Sequence, residues 1–138
     1  MYLIDTCVFA EFSKPHPDSN VVHWARTVFV NDMYLSVLVL GEILRGIERL
    51  DPGHRKDELT RWVDGLFETH RTRLIQVDSE TIRCWAMLCT RVEKIGLTPP
   101  AMDSLIAASA LSHNLTIVTR NVRDFEAFGI KLLNPWLS

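Results

Sequence analysis

The sequence holds only three cysteines (Cys7, Cys84 and Cys89), an odd number with no Cys-x-x-Cys pair. Their spacing speaks against a zinc site or a disulfide framework and leaves buried free thiols as the expectation. Glycine and proline number six each, too few for a collagen-like or low-complexity chain, and no heptad repeat persists. No uncharged run reaches the roughly 18 apolar residues that a membrane-spanning helix needs. The amino terminus carries neither a basic segment nor a small-residue cleavage site, because Met1-Tyr-Leu-Ile runs straight into Asp5. A cytoplasmic protein with no membrane partner is therefore expected. Excess basic charge is missing too: 15 Lys and Arg stand against 17 Asp and Glu, a net charge of −2. That balance argues against a broad basic face for duplex DNA. It leaves RNA open, because arginine clusters or a metal ion supply positive charge locally.

What is present is globular. Over 138 residues, 47% are hydrophobic and 23% charged, which fits one domain, 1–138, with a core that needs no covalent staples. Short β-branched runs alternate with helical periodicities, and this predicts an α/β domain around a mainly parallel sheet of four to five strands. Strands are expected at Met1–Ile4, Tyr34–Val37, Arg73–Val77, Leu115–Thr119 and, at an edge, Ile130–Leu133. Helices are expected over Thr6–Ser13, Ser19–Asn31 (with Val22, Ala25, Arg26 and Phe29 at helical spacing), Leu38–Leu50 and Lys56–His70. A further helix over Ser79–Ile95 carries a stripe of Ile82, Trp85, Ala86, Cys89 and Val92, and a short one covers Val122–Phe128. Residues 101–113 are apolar on nearly every side and read as a helix inside the domain. The five histidines have no metal-ligand spacing and read as surface or loop residues.

The acids are unevenly placed in this scheme. Asp5 ends the first strand, Asp103 lies in the opening turn of the internal helix, and Asn121 and Asp124 follow the fourth strand. Glu42 sits about a turn into the helix after strand two. In open parallel sheets, ligands bind beyond the carboxyl ends of the strands where the strand order reverses. If strands one and four are neighbours, Asp5 and the Asn121–Asp124 segment meet there. Each residue also has a plain structural reading. Asp5 could cap the helix that starts at Thr6, and Asp103 could complement a helix dipole. Glu42 could pair with Arg45, supported by Arg49, and Asp124 could be a solvated residue opening a short helix. Jointly they say more. Carboxylates within about 4 Å repel by roughly 4 kcal/mol per pair at an effective dielectric near 20. A fold retains such a cluster only with protons or a cation among its members. All-oxygen ligands, with no His or Cys expected beside them, point to Mg2+ or Mn2+ rather than zinc, and such acidic clusters hydrolyse phosphodiesters.

Four stretches in order carry a resemblance over essentially the whole chain: Leu3-Ile4-Asp5-Thr6; Ser36 to Arg45 with Gly41-Glu42; Met102-Asp103 through Ala108; and Thr119-Arg-Asn121-Val-Arg-Asp124-Phe125. They resemble PIN-domain ribonucleases, more narrowly the VapC/FitB toxins of bacterial type II toxin–antitoxin systems. The Asn134-Pro135-Trp136 ending is similar as well. The resemblance implies an α/β/α sandwich, a homodimer, Mg2+- or Mn2+-dependent endoribonuclease activity and neutralisation by a cognate antitoxin protein. Asp5, Glu42 and Asp103 fall on the family's acids, and Thr119, Asn121 and Asp124 on its last motif. Asn121 replaces a carboxylate by an amide, so a fourth metal ligand is Asn121 or Asp124. Thr6 and Thr119 fit supporting hydroxyls that orient carboxylates or waters.

Arg45, Arg49, Arg120 and Arg123 are candidate phosphate contacts along single-stranded or structured RNA, or else partners of local acids. Trp24, Phe29, Trp62 and Phe67 read as core, or as the lining of a groove for an antitoxin helix. A phosphoacceptor receiver lacks its late lysine here, where Arg120 follows Thr119. A haloacid-dehalogenase-type phosphatase lacks its Asp-x-Asp, where Asp5-Thr-Cys7 stands. The remaining alternative is a catalytically weak or inactive PIN-like module that binds RNA or a protein partner.

Overall fold

The computed structural model describes residues 1–137. Five strands, β1 (Tyr2–Ile4), β2 (Met33–Ser36), β3 (Leu74–Ile75), β4 (Thr116–Val118) and β5 (Leu132–Leu133), form a sheet in the order β3-β2-β1-β4-β5. Every neighbouring pair is parallel. Successive strand side chains point to opposite faces, and Leu3 (0% exposed) and Ile4 (2%) are both buried. Ile117 and Val118 are buried side by side as well, so both faces of the sheet are covered, as a parallel sheet requires. Six helices do the covering: α1 (Thr6–Phe12), α2 (Ser19–Thr27), α3 (Val37–Glu48), α4 (His54–His70), α5 (Ser79–Lys94) and α6 (Ala101–Ser112). The α/β/α sandwich with a parallel sheet follows, and β5 is an edge strand as expected.

Local chemistry sets the helix starts. Asp18 accepts backbone N–H groups of Asn20 (2.9 Å) and Val21 (3.4 Å), and Ser36 Oγ accepts that of Leu38 (3.0 Å). Asp78 accepts both the N–H and the hydroxyl of Thr81, at 2.9 and 3.0 Å. These bonds satisfy donors that a helix leaves unpaired, and they hold Asp78 below the usual carboxylate range. Asp78→Ala is expected to lower the melting temperature at pH 7. A group with a depressed folded pKa contributes above its unfolded pKa and loses that contribution as pH falls through the folded value. Thermal melts at pH 7 and pH 3 check it, because the deficit should fade in acid.

α6 is the internal helix. Ile106, Ala107, Ala108, Ser109 and Ala110 are fully buried, and its small side chains let α5 and α3 approach closely. Trp85 Nε1 donates to Ser104 Oγ at 2.9 Å, tying α5 to α6.

Several boundaries and faces differ from the sequence expectation. α2 stops at Thr27, because Val28 is extended (φ −111°, ψ 133°) and Val30–Asp32 forms a separate 3-10 turn. Phe29 is then 80% exposed, and Val21 takes the buried position. β3 is two residues long. On α5, Ile82 (44% exposed) and Ala86 face outward, while Thr81, Leu88, Cys89 and Val92 face the core. The expected helix over Val122–Phe128 is two 3-10 turns, Val122–Asp124 and Glu126–Phe128. Cys7 and Cys84 are half-buried and Cys89 buried, all free. His70 is buried rather than superficial. Its ring meets Phe9 edge-on with centroids 5.8 Å apart, its Nδ1 lies 3.0 Å from the Leu66 carbonyl, and burial pushes its pKa down.

Candidate active site

Chain order along the sheet runs backward from β3 to β1 and then jumps to β4. The crevice at such a switch point, outside the carboxyl ends of β1 and β4, is where a parallel sheet binds ligands. The β1–β4 register pairs Ile4 with Val118, and Asp5 N–H donates to the Val118 carbonyl at 3.0 Å. This register sets Asp5 beside Thr119 at the crevice.

Asp5 stands at the N-cap of α1 yet makes no side-chain cap bond, which removes the plain structural reading. Its carboxylate, 7% exposed, turns to the crevice, where Thr119 Oγ1 donates to Oδ2 at 2.8 Å. Thr119 Oγ1 in turn accepts the Asn121 N–H at 3.0 Å. One buried hydroxyl thus orients the acid after β1 and fixes the loop after β4. Thr119→Val keeps the shape but strands the Asn121 donor and strips Asp5 of its partner. It is expected to cost about 1–3 kcal/mol of stability and about ten- to a hundredfold in activity. Denaturant unfolding and a cleavage assay read the two effects separately.

The sequence reading placed no sulfur at the motifs, and here the structure corrects it. Cys7 Sγ lies 3.7 Å from Asp5 Oδ2 and 3.4 Å from Thr119 Oγ1, and it accepts the Arg120 N–H at 3.3 Å. Burial pushes this thiol up in pKa, so it acts as a neutral strut. Its offset of two residues from Asp5 was the only sequence signal.

Glu42, in the second turn of α3, is half-buried. Its pKa is raised by desolvation, then by the charges of Asp5 and Asp103; Thr6 opposes the shift without forming a well-aligned bond. Glu42 Oε1 and Thr6 Oγ1 are both buried and have no hydrogen-bond partner. No ion pair joins Glu42 to Arg45 or Arg49 among the described residues, so the alternative role of Glu42 fails. Asp103, in the first turn of α6, is likewise raised by desolvation, then by Asp124 and Asp5. Asp5 just after β1, Glu42 on α3 and Asp103 on α6 therefore lie within electrostatic reach of one another, and Asp124, in the turn after β4, lies within reach of Asp103. Asn121 and Asp124 are exposed at its rim. Among the described residues, no three acidic, histidine or cysteine side chains are drawn tightly enough to form a ready metal cage.

The four arginines singled out by sequence, Arg45, Arg49, Arg120 and Arg123, are all exposed. A groove of about 340 Å3 leads away from Thr6 and Glu42 between α1, α3 and α4, past Ile43, Leu59 and Trp62. On the other side of Trp62 lies an apolar cavity of about 200 Å3, lined by Phe9, Trp24 and Leu66 among others. Phe29 and Phe67 line neither.

A parallel sheet with Asp5, Glu42 and Asp103 near its switch point defines the class: an α/β domain with acids at the carboxyl edge of the sheet. The chain belongs to the PIN domain family, whose profile matches residues 2–131. It is 31% identical to toxin FitB of Neisseria gonorrhoeae over 137 residues, covering 99% of each chain. It is 28% identical to VapC ribonuclease Y4jK of Sinorhizobium fredii over 137 residues, covering 99% of this chain and 98% of that one. Among solved structures, FitAB bound to an IR36 DNA fragment matches with a TM-score of 0.94 and 29% identity, over 100% of this chain and 97% of that one.

Proposed function

We propose that this protein is the toxin of a type II toxin–antitoxin pair, and that it acts as an Mg2+- or Mn2+-dependent endoribonuclease. The observation that carries the reading is the mutual electrostatic reach of Asp5, Glu42 and Asp103, with Asp124 beside Asp103, in a chain whose relatives bear the names ribonuclease and toxin. The donor set fits a hard divalent ion. All its atoms are oxygens, one carboxylate oxygen and one hydroxyl are buried without partners, and the raised pKa values mark charges in want of compensation. Asp5 and Asp103 would hold the ion, with Glu42 and either Asn121 or Asp124 completing its shell. When bound, such an ion lowers the pKa of water and neutralises charge on a phosphate.

This chain's own residues do the rest. Thr119 keeps Asp5 in one orientation, Thr6 and Glu42 offer acceptors for water at the crevice wall, and Arg45, Arg49, Arg120 and Arg123 face solvent where they can meet RNA phosphates. Cleavage leaves a 5′-phosphate and a 3′-hydroxyl. The two cavities that share Trp62 form a groove suited to an apolar antitoxin helix. Exposed Ile82 and Met87 on α5 suit the face of a homodimer. No helix among the described residues is long and apolar enough to cross a membrane. The test is incubation of the purified chain with total RNA, with and without a chelator, followed by mapping of 5′ ends. Discrete chelator-sensitive cuts with 5′-phosphates support the reading; RNA left intact in the presence of Mg2+ and Mn2+ refutes it.

A further inference from the structure

We infer that Arg120 and Trp136 together form a stacking platform for an unpaired nucleobase beside the acid-lined crevice. The inference rests on the RNA-cleaving reading and adds to it a contact that holds unpaired nucleotides whatever their sequence. The Arg120 guanidinium carbon lies 5.5 Å from the centroid of the Trp136 ring. Both members are fixed from the backbone. The Arg120 N–H is held by Cys7 Sγ at 3.3 Å, between Thr119, which donates to Asp5, and Asn121, whose N–H is bound to Thr119. Trp136 N–H donates to Asn134 Oδ1 at 3.0 Å, and its carbonyl accepts Asn20 Nδ2 at 2.9 Å.

Trp136 is half-buried, with part of its indole packed on the core, while Arg120 is exposed. The stack is thus ordered on one side and open on the other. A guanidinium near an indole and open to solvent can itself take a base against its plane. Arg120 forms no ion pair with a carboxylate among the described residues. A flat cation one residue past the hydroxyl that orients Asp5 fits a nucleotide strand entering the crevice. Arg120 would meet phosphate and base together, and Trp136 would act through it. Base–aromatic stacking tolerates any sequence, because every base has a π-face.

The test reads binding without cleavage, in the Asp5→Asn background with Mg2+ present. Fluorescence anisotropy compares a labelled ten-nucleotide oligoadenylate with an abasic decamer of the same backbone. With Trp136 in place, the adenylate should bind roughly tenfold tighter than the abasic strand. Trp136→Ala should shrink that ratio about fivefold and leave the abasic affinity unchanged. Trp136→Phe should keep most of the ratio, and Arg120→Lys should lose it while retaining the charge. A ratio unchanged in Trp136→Ala and Arg120→Lys, or one that is absent with Trp136 in place, overturns the platform. Thermal melts identify any Trp136→Ala protein that fails to fold, and Arg120→Lys then decides alone. Intact RNA in the cleavage assay beside a Trp136-dependent ratio would refute the nuclease and leave the platform standing.

Discussion

Asp5→Asn is expected to reduce RNA cleavage by roughly a hundred- to a thousandfold or more and to abolish toxicity, with little change in the melting temperature. The asymmetry follows from what Asp5 does. It caps no helix, so α1 loses nothing. An asparagine oxygen still accepts the Thr119 hydroxyl that lies 2.8 Å from Asp5 Oδ2, so the seam between β1 and β4 stays satisfied. What disappears is the negative charge at the point that Glu42 and Asp103 both feel. Turnover on a defined RNA and a melting curve of the same preparation measure the two halves of the expectation. A folded variant that cleaves undiminished would remove Asp5 from the chemistry.

Asp103→Asn should also cut cleavage by roughly a hundredfold, and its effect on stability should change sign with the ionic conditions. In chelator, removing a partly desolvated charge that faces Asp124 and Asp5 should raise the melting temperature by the order of one degree, the small size reflecting solvent screening. With millimolar Mn2+ the order should reverse, because an ion that binds the folded state stabilises it by mass action and this variant binds the ion less well. The pH dependence has the matching sign. Glu42 and Asp103 have folded pKa values above their ordinary ones, so the folded chain holds protons that the unfolded chain has released. Their contribution in chelator is present below the ordinary carboxyl pKa and is lost as pH rises through the raised values. Divalent ions should oppose that loss. Melting curves at pH 5 and pH 7.5, with Mn2+ and with chelator, test all four corners. A variant that is less stable in both conditions would mean that Asp103 is structural.

Much of this was legible in the sequence for a simple reason. Strands such as Leu3-Ile4 and Ile117-Val118 are buried on both faces, so they read as unbroken apolar runs, and α6 has no polar face at all. The acids stood out because they interrupt those patterns at strand ends and in a helix's first turn. The rest depends on contacts between distant residues. Nothing near Phe29 announces that Val28 turns extended and throws the ring into solvent. Nothing near Ile82 says which side of α5 meets α6. His70 looked like the polar end of a surface helix, and only the fold brings Phe9 against it. Cys7 and Thr119 are 112 residues apart, and Arg120 meets Trp136 only because β4 and β5 are neighbours. Local periodicity carries no record of such pairs.

The PIN fold itself needs none of the acids to be ionised, whereas the proposed chemistry needs them to share one cation. Anomalous diffraction from crystals grown with Mn2+ addresses that directly. The account predicts a single strong peak roughly 2.0–2.3 Å from carboxylate oxygens of Asp5 and Asp103, with Glu42 turned toward it. A preparation that cleaves RNA with Mn2+ while its crystals show no manganese between Asp5 and Asp103 would contradict it.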